Sequence, residues 1–325
     1  MARSKYIIAV DIGGTNTKLG MVSTNGRILR TTSFPTCRRR GDVIDRVIKE
    51  AYGLVNSTHI RKRDILGIGM GVAGPTDHSR GLIHHFVNVP GWRNTPLARI
   101  VRSRTKLPTF IDNDVNVMTI GELYFGAGRG AKNMICLTLG TGVGGGVVID
   151  GRLHRGSNLV AGEIGHMPIN VVGRKCNCGG IGCMEMYVGN KYIVENALRR
   201  LKGKKNSLIL KLIGGDRRKL TPEVLAIAAR RGDKTANAVW ADTGLHLGVA
   251  IAASVSLINP ERVVIGGGVA GAGEVLFKHI RKAVENRTMK EHRHGLRIVR
   301  AKLGSKAGLV GAMQLVKLSL KERME

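Results

Sequence analysis

Residues 134–150 read MICLTLGTGVGGGVVID: an apolar run, a glycine turn, and a second apolar run that ends at Asp150-Gly151. The turn contains GTGVGG and so fits the G-x-G-x-x-G pattern of dinucleotide-binding folds. In that setting, however, a helix follows the glycines and takes the pyrophosphate on its N-terminus. Here VVID runs into an Asp-Gly pair, the mark of a strand entering a hairpin, so the Rossmann reading fails where it is most specific. The chain opens on the same device. KYIIAVDIGGTNTKLGMV at residues 5–22 gives strand, glycine turn and strand, with Asn25-Gly26 as the next hairpin turn. Two copies of one unit predict an internally duplicated α/β protein. No GxxxxGK[ST] motif is present to suggest a P-loop.

Outward from these hairpins, apolar spacing predicts a helix over 42–57, and ILGIGMGVAGP (65–75) and LPTFIDND (107–114) read as strands ending in turns. Beyond the second hairpin, helices are expected over 186–201, 222–231 and 234–257. A strand RVVI (262–265), a helix from about Gly273, a strand near 296–299 and a last helix over 307–320 follow. At 325 residues, 43% of them hydrophobic, the chain is long enough for two lobes and a cleft. No apolar run reads as a membrane span and the N-terminus lacks a signal peptide's pattern, so a cytoplasmic protein is expected.

The formal charge is +29, from 52 Lys and Arg against 23 Asp and Glu. That excess favours polyanions and steers anionic ligands. The basic residues nevertheless fall in scattered clusters (38–40, 61–63, 199–205, 217–219) without interleaved aromatics, which total 4%. A general surface trait is the better reading, with a nucleic-acid partner as the alternative. His84-His85 and the histidines of 292–294 read as surface, and Cys136, in MICLTL, as core.

CNCGGIGC (176–183) places three thiols within one short loop, with His166 ten residues before the first. Three thiolates and an imidazole suit tetrahedral Zn²⁺, and four protein ligands leave no open position, so Cys176, Cys178, Cys183 and His166 predict a structural zinc. The glycines of both hairpins (Gly13, Gly14, Gly140, Gly142) and of a third turn, Gly266, Gly267 and Gly268, offer backbone N–H groups to phosphate oxygens. Asp11 can hold Mg²⁺ through water, and Thr15, Lys18 and Thr141 stand where phosphates would lie. IDND supplies two carboxylates, Asp112 and Asp114, at the end of a strand. Either could act as a base, and Asp114 also fits a helix N-cap.

DIGGTNTKLG, GVAGP, NVPGW, DNDVN, LGTGVGGG, GEIGH, CNCGGIGCMEMY and IGGGV, in this order along nearly the whole chain, resemble the ROK family of sugar kinases and repressors. That resemblance implies the two-lobed, actin-like ATPase fold (ribonuclease H-like α/β). It implies a first lobe at 1–113 joined by the C-terminal helix (305–325), and a second at 114–304 carrying a zinc loop at 163–186. It further implies an ATP-dependent kinase for a hexose such as glucose, with Asp114 as base. Asn113, Gly74, Asn88, Glu163, His166 and Glu185 would then face the sugar, and a homodimer or homotetramer is expected. The family's repressors place a helix-turn-helix domain ahead of the core. The first strand here opens at about Lys5, so none is expected. Because the glycine hairpins lie far from the zinc loop in sequence, metal loss is expected to weaken sugar binding much more than nucleotide binding.

Overall fold

The computed structural model describes residues 5–86, 89, 91–204 and 207–324. The chain divides into two compact units: Met1–Gly130 with Arg155–Ala161 and Lys302–Glu325, and Ala131–His154 with Gly162–Ala301. The first unit begins with strands β1 (Tyr6–Ile12), β2 (Asn16–Ser23) and β3 (Ile28–Pro35), helix α1 (Arg40–Thr58) and strand β4 (Ile65–Val72). A small sheet of β5 (Thr76–Asp77), β6 (Leu82–His85) and β7 (Arg93–Thr95) follows, then α2 (Leu97–Thr105), β8 (Thr109–Asn113) and α3 (Asp114–Phe125). Its main sheet has the order β3-β2-β1-β4-β8, antiparallel through β3, β2 and β1 and parallel through β1, β4 and β8. Ile12 pairs with Val72 and Val72 with Asn113, so the segments leaving β1, β4 and β8 emerge at one end. Helix α1 buries Val43, Val47, Ala51 and Leu54 in the same apolar cluster as Ile8 and Val10 of β1. Full burial of the Val and Leu side chains contributes about 1.5–3 kcal/mol each.

The second unit carries β9 (Met134–Leu139), β10 (Val143–Ile149) and β11 (Arg152–His154), then the short α4 (Glu185–Val188). Helices α5 (Asn190–Arg200), α6 (Leu208–Leu212), α7 (Pro222–Arg230) and α8 (Lys234–Ile258) follow. Strand β12 (Arg262–Gly266), α9 (Glu274–Glu285), α10 (Lys290–Arg293) and β13 (Arg297–Arg300) complete it. Its sheet, β11-β10-β9-β12-β13, repeats the first strand for strand, including the change from antiparallel to parallel pairing. The helix expected over 186–201 is two helices, because Gly189 turns extended (φ −66°, ψ 152°) between α4 and α5. Helix α8 is long and apolar enough to cross a membrane by length and composition, contrary to the reading of the sequence. Its Trp240, Leu247, Ile251 and Val255 are buried in this unit's core.

The last helix, α11 (Ala307–Glu322), belongs to the first unit and packs against α3. The two backbones approach so closely that a Cβ on Gly311 would lie 1.8 Å from the Val117 carbonyl oxygen, and one on Gly121 2.6 Å from that of Ala307. Helix α3 therefore belongs with the first unit, and the division falls after Gly130 instead of at 113/114. The packing partner that decides the matter lies almost two hundred residues further on.

Candidate functional site

In the first unit the carboxyl ends of β1, β4 and β8 gather Asp11, the 13–15 turn, Gly74, Asn113 and Asp114. The turn is closed by the Gly13 N–H donating to the Asn16 carbonyl at 3.1 Å, so that N–H is spent within the turn. Gly14 and Thr15 are exposed. Thr36, which no sequence signal singled out, braces this turn: its hydroxyl donates to the Gly13 carbonyl at 2.7 Å and its N–H to the Thr15 carbonyl at 2.9 Å. Asp11 stands opposite Lys18 in the β1–β2 register. Burial pushes the Asp11 carboxyl up, and the Lys18 charge pulls it part of the way back.

The two carboxylates of IDND have different surroundings. Asp112 is 1% exposed and fully engaged. Arg155 donates to its Oδ2 through Nε (2.9 Å) and Nη2 (2.6 Å), while Asn116 Nδ2 and the Asn113 N–H donate to Oδ1 at 2.9 and 2.8 Å. Asp114 is half-buried as the first residue of α3, its Oδ1 accepting from the Val115 N–H at 3.0 Å. The N-cap is Asn113, whose Oδ1 accepts from the N–H groups of Val115 (2.9 Å) and Asn116 (3.2 Å). Asn113 Nδ2 donates to the Gly74 carbonyl at 3.2 Å, which joins two of the expected sugar-facing residues. Asn88 lies outside the described residues.

In the second unit the 140–142 turn is closed more tightly, the Gly140 N–H donating to the Gly142 carbonyl at 3.0 Å. The third glycine turn lies beside it: Gly266 pairs with Thr138, and a Cβ on Gly267 would fall 2.1 Å from the Leu139 carbonyl oxygen. A cavity of about 180 Å³ opens next to Gly268, lined by Glu223, Ile227, Trp240 and Val269. The Glu185 carboxylate accepts from the Val143 N–H at 2.8 Å. The metal-loop segment and the glycine hairpin, remote in sequence, are thus in contact, so sequence distance no longer argues for separate effects of metal loss on sugar and on nucleotide.

One donor atom each from His166, Cys176, Cys178 and Cys183 lies within 4.8 Å of all the others. Cys176 Sγ is 3.7 Å from His166 Nδ1, and Cys178 Sγ is 3.6 Å from Cys183 Sγ. Four ligands around a tetrahedral Zn²⁺ with Zn–S near 2.3 Å give S···S edges of about 3.8 Å, so the donor set fits that ion. The loop is shaped by backbone bridges, Pro168 with Cys183 and Lys175 with Ile181. His166 Nε2 lies 4.0 Å from the Glu163 carboxylate, close enough for charge interaction but beyond hydrogen-bond distance. Burial pushes the Glu163 carboxyl up, against the pull of His166. His84 and His85 are exposed as expected, whereas His292 is half-buried.

Residues 7–319 match the model of the ROK family. The chain is 38% identical to a glucokinase of Halalkalibacterium halodurans over 320 residues, 96% of this chain and 95% of that one. It is 28% identical to the DNA-binding transcriptional dual regulator NagC of Escherichia coli, over 98% of this chain and 77% of the regulator. Among solved structures, a ROK family glucokinase from Streptomyces griseus in complex with glucose and AMPPNP superposes with a TM-score of 0.83. Its sequence identity is 34%, with 96% of this chain and 99% of that one covered. With the paired glycine hairpins, the repeated sheets and the Cys3His loop, these similarities have one reading: the chain belongs to the ROK family.

Proposed function

We propose that the protein is an ATP-dependent sugar kinase of the two-lobed actin-like fold that phosphorylates a hexose hydroxyl, glucose first among the candidates. The observation that carries this is the placement of Asp114, half-buried, at the same end of the sheet as the 13–15 turn. The 38% identical glucokinase supports the same reading.

In this mechanism Asp114 accepts the sugar hydroxyl proton as that oxygen bonds to the γ-phosphorus of ATP and the bond to the β,γ-bridging oxygen breaks, so that ADP leaves. Gly74, Asn88, Asn113, Glu163, His166 and Glu185 orient the sugar. The remaining N–H groups of the 13–15 and 140–142 turns take phosphate oxygens, and the 266–268 turn and its cavity receive the nucleoside. Asp11 would hold Mg²⁺ through water, which supplies charge neutralisation at the phosphates, and Lys18 adds a cation from the facing strand. A zinc in the Cys3His loop would fix Glu163 and Glu185 in place, a structural role suited to a reducing, cytoplasmic setting. The purified protein should contain one zinc per chain, falling towards zero in Cys183→Ser. Metal analysis checks this, and a full zinc complement in that variant would remove the assignment.

A panel of glucose, mannose, fructose, N-acetylglucosamine and N-acetylmannosamine, assayed for ADP release, tests the function. Turnover with none of them would defeat the kinase reading. The second reading is a sugar-sensing regulator, favoured by the +29 charge and the similarity to NagC. It requires strong duplex binding at physiological salt without ATP turnover. The kinase reading also includes a homodimer or homotetramer, which sedimentation would reveal.

A further inference from the structure

We propose that Glu185 is a positioning residue that holds the 140–143 turn in its phosphate-receiving shape and ties that shape to the Cys3His loop. This rests on the reading of that turn as part of the nucleotide site. Its Oε2 accepts from the Val143 N–H at 2.8 Å, and a Cβ on Gly142 would lie only 2.6 Å from the same oxygen. The residues just after Glu185 hold the turn from two further points. The Asn190 N–H donates to the Gly140 carbonyl at 2.9 Å, and Gly189 packs so near that its Cβ would be 3.1 Å from the Thr141 carbonyl oxygen. Every residue of the turn from Gly140 to Val143 is therefore met by the segment 185–190.

That segment starts two residues after Cys183, and between them Met184 donates its N–H to the Met167 carbonyl at 2.9 Å, next to His166. The Cys3His loop thus holds the near end of the segment from which Glu185 reaches the turn. A carboxylate beside a phosphate site repels the ligand by charge, so its contribution there is geometric: it orients the turn through the Val143 amide. Glutamine keeps an acceptor oxygen for that amide and drops the repulsion. Alanine leaves the amide without its partner.

The test is a calorimetric titration with a non-hydrolysable ATP analogue and Mg²⁺ in the absence of sugar. Wild type is measured first, since its failure to bind would defeat the reading of the turn and not the role of Glu185. Glu185→Ala should bind the analogue about tenfold more weakly or worse, the scale of one lost hydrogen bond to a charged group. Glu185→Gln should stay within about threefold of wild type. Wild type stripped of metal by a chelator should weaken as Glu185→Ala does and recover on adding one equivalent of zinc, an arm that stands even if the alanine variant does not fold. Wild-type affinity in folded Glu185→Ala, a glutamine variant as weak as alanine, or stripped protein with unchanged affinity would each overturn the proposal.

Discussion

Asp114→Asn should lower turnover by about 10²–10⁴-fold while sugar and ATP affinities change little. A general base contributes on that scale, equivalent to about 2.7–5.5 kcal/mol of barrier. The competing explanation is structural. Asp114 begins α3, where a negative charge is worth about 0.3–1 kcal/mol near the helix N-terminus. Asparagine keeps an oxygen for the Val115 N–H, and the capping itself is done by Asn113, so a purely structural Asp114 would leave activity almost intact. The two accounts differ by at least an order of magnitude in rate, and single-turnover measurements on folded variant separate them. Near-normal turnover would sink the base assignment. Asp112 could not simply take over, because proton transfer to it would disturb the paired Arg155 guanidinium.

What could be read from the sequence was what local chemistry determines. The hairpins were legible because apolar strands flank glycine turns and because Asp150-Gly151 and Asn25-Gly26 carry the turn. Asp150 and Gly151 do adopt positive φ, 49° and 74°. The Cys3His loop was legible because its ligands lie within eighteen residues of one another. What stayed hidden depends on distant partners. Nothing near Arg155 says that it returns to the first unit to neutralise Asp112. Nothing in GVGGG says that Glu185 approaches Gly142 too closely for any side chain there. The cap is also one residue before the position expected, since Asn113 and Asp114 are both good capping types and only the backbone decides between them.

Glu122, in the second half of α3, is 0% exposed. Both carboxylate oxygens are used in the first unit. Oε2 accepts from the N–H groups of Ala127 (2.7 Å) and Lys302 (3.1 Å), and Oε1 from that of Leu303 (2.8 Å). It thus anchors the chain just past α3 to the segment that leads into α11. Glu122→Gln has almost the same shape, but whichever way its amide turns, an NH₂ group faces a backbone N–H. Each hydrogen bond to a charged group is worth about 1.5–3 kcal/mol, and a buried donor left unmet costs about 1–3 kcal/mol. The glutamine variant should therefore lose about 2–4 kcal/mol of stability and the alanine variant about 3–5 kcal/mol, read as a lower urea midpoint. Turnover of the protein that remains folded should hold, because Glu122 is outside the proposed catalytic and binding residues. If Glu122 only filled space, glutamine would match wild type in urea and alanine alone would fall, which would remove the anchoring role.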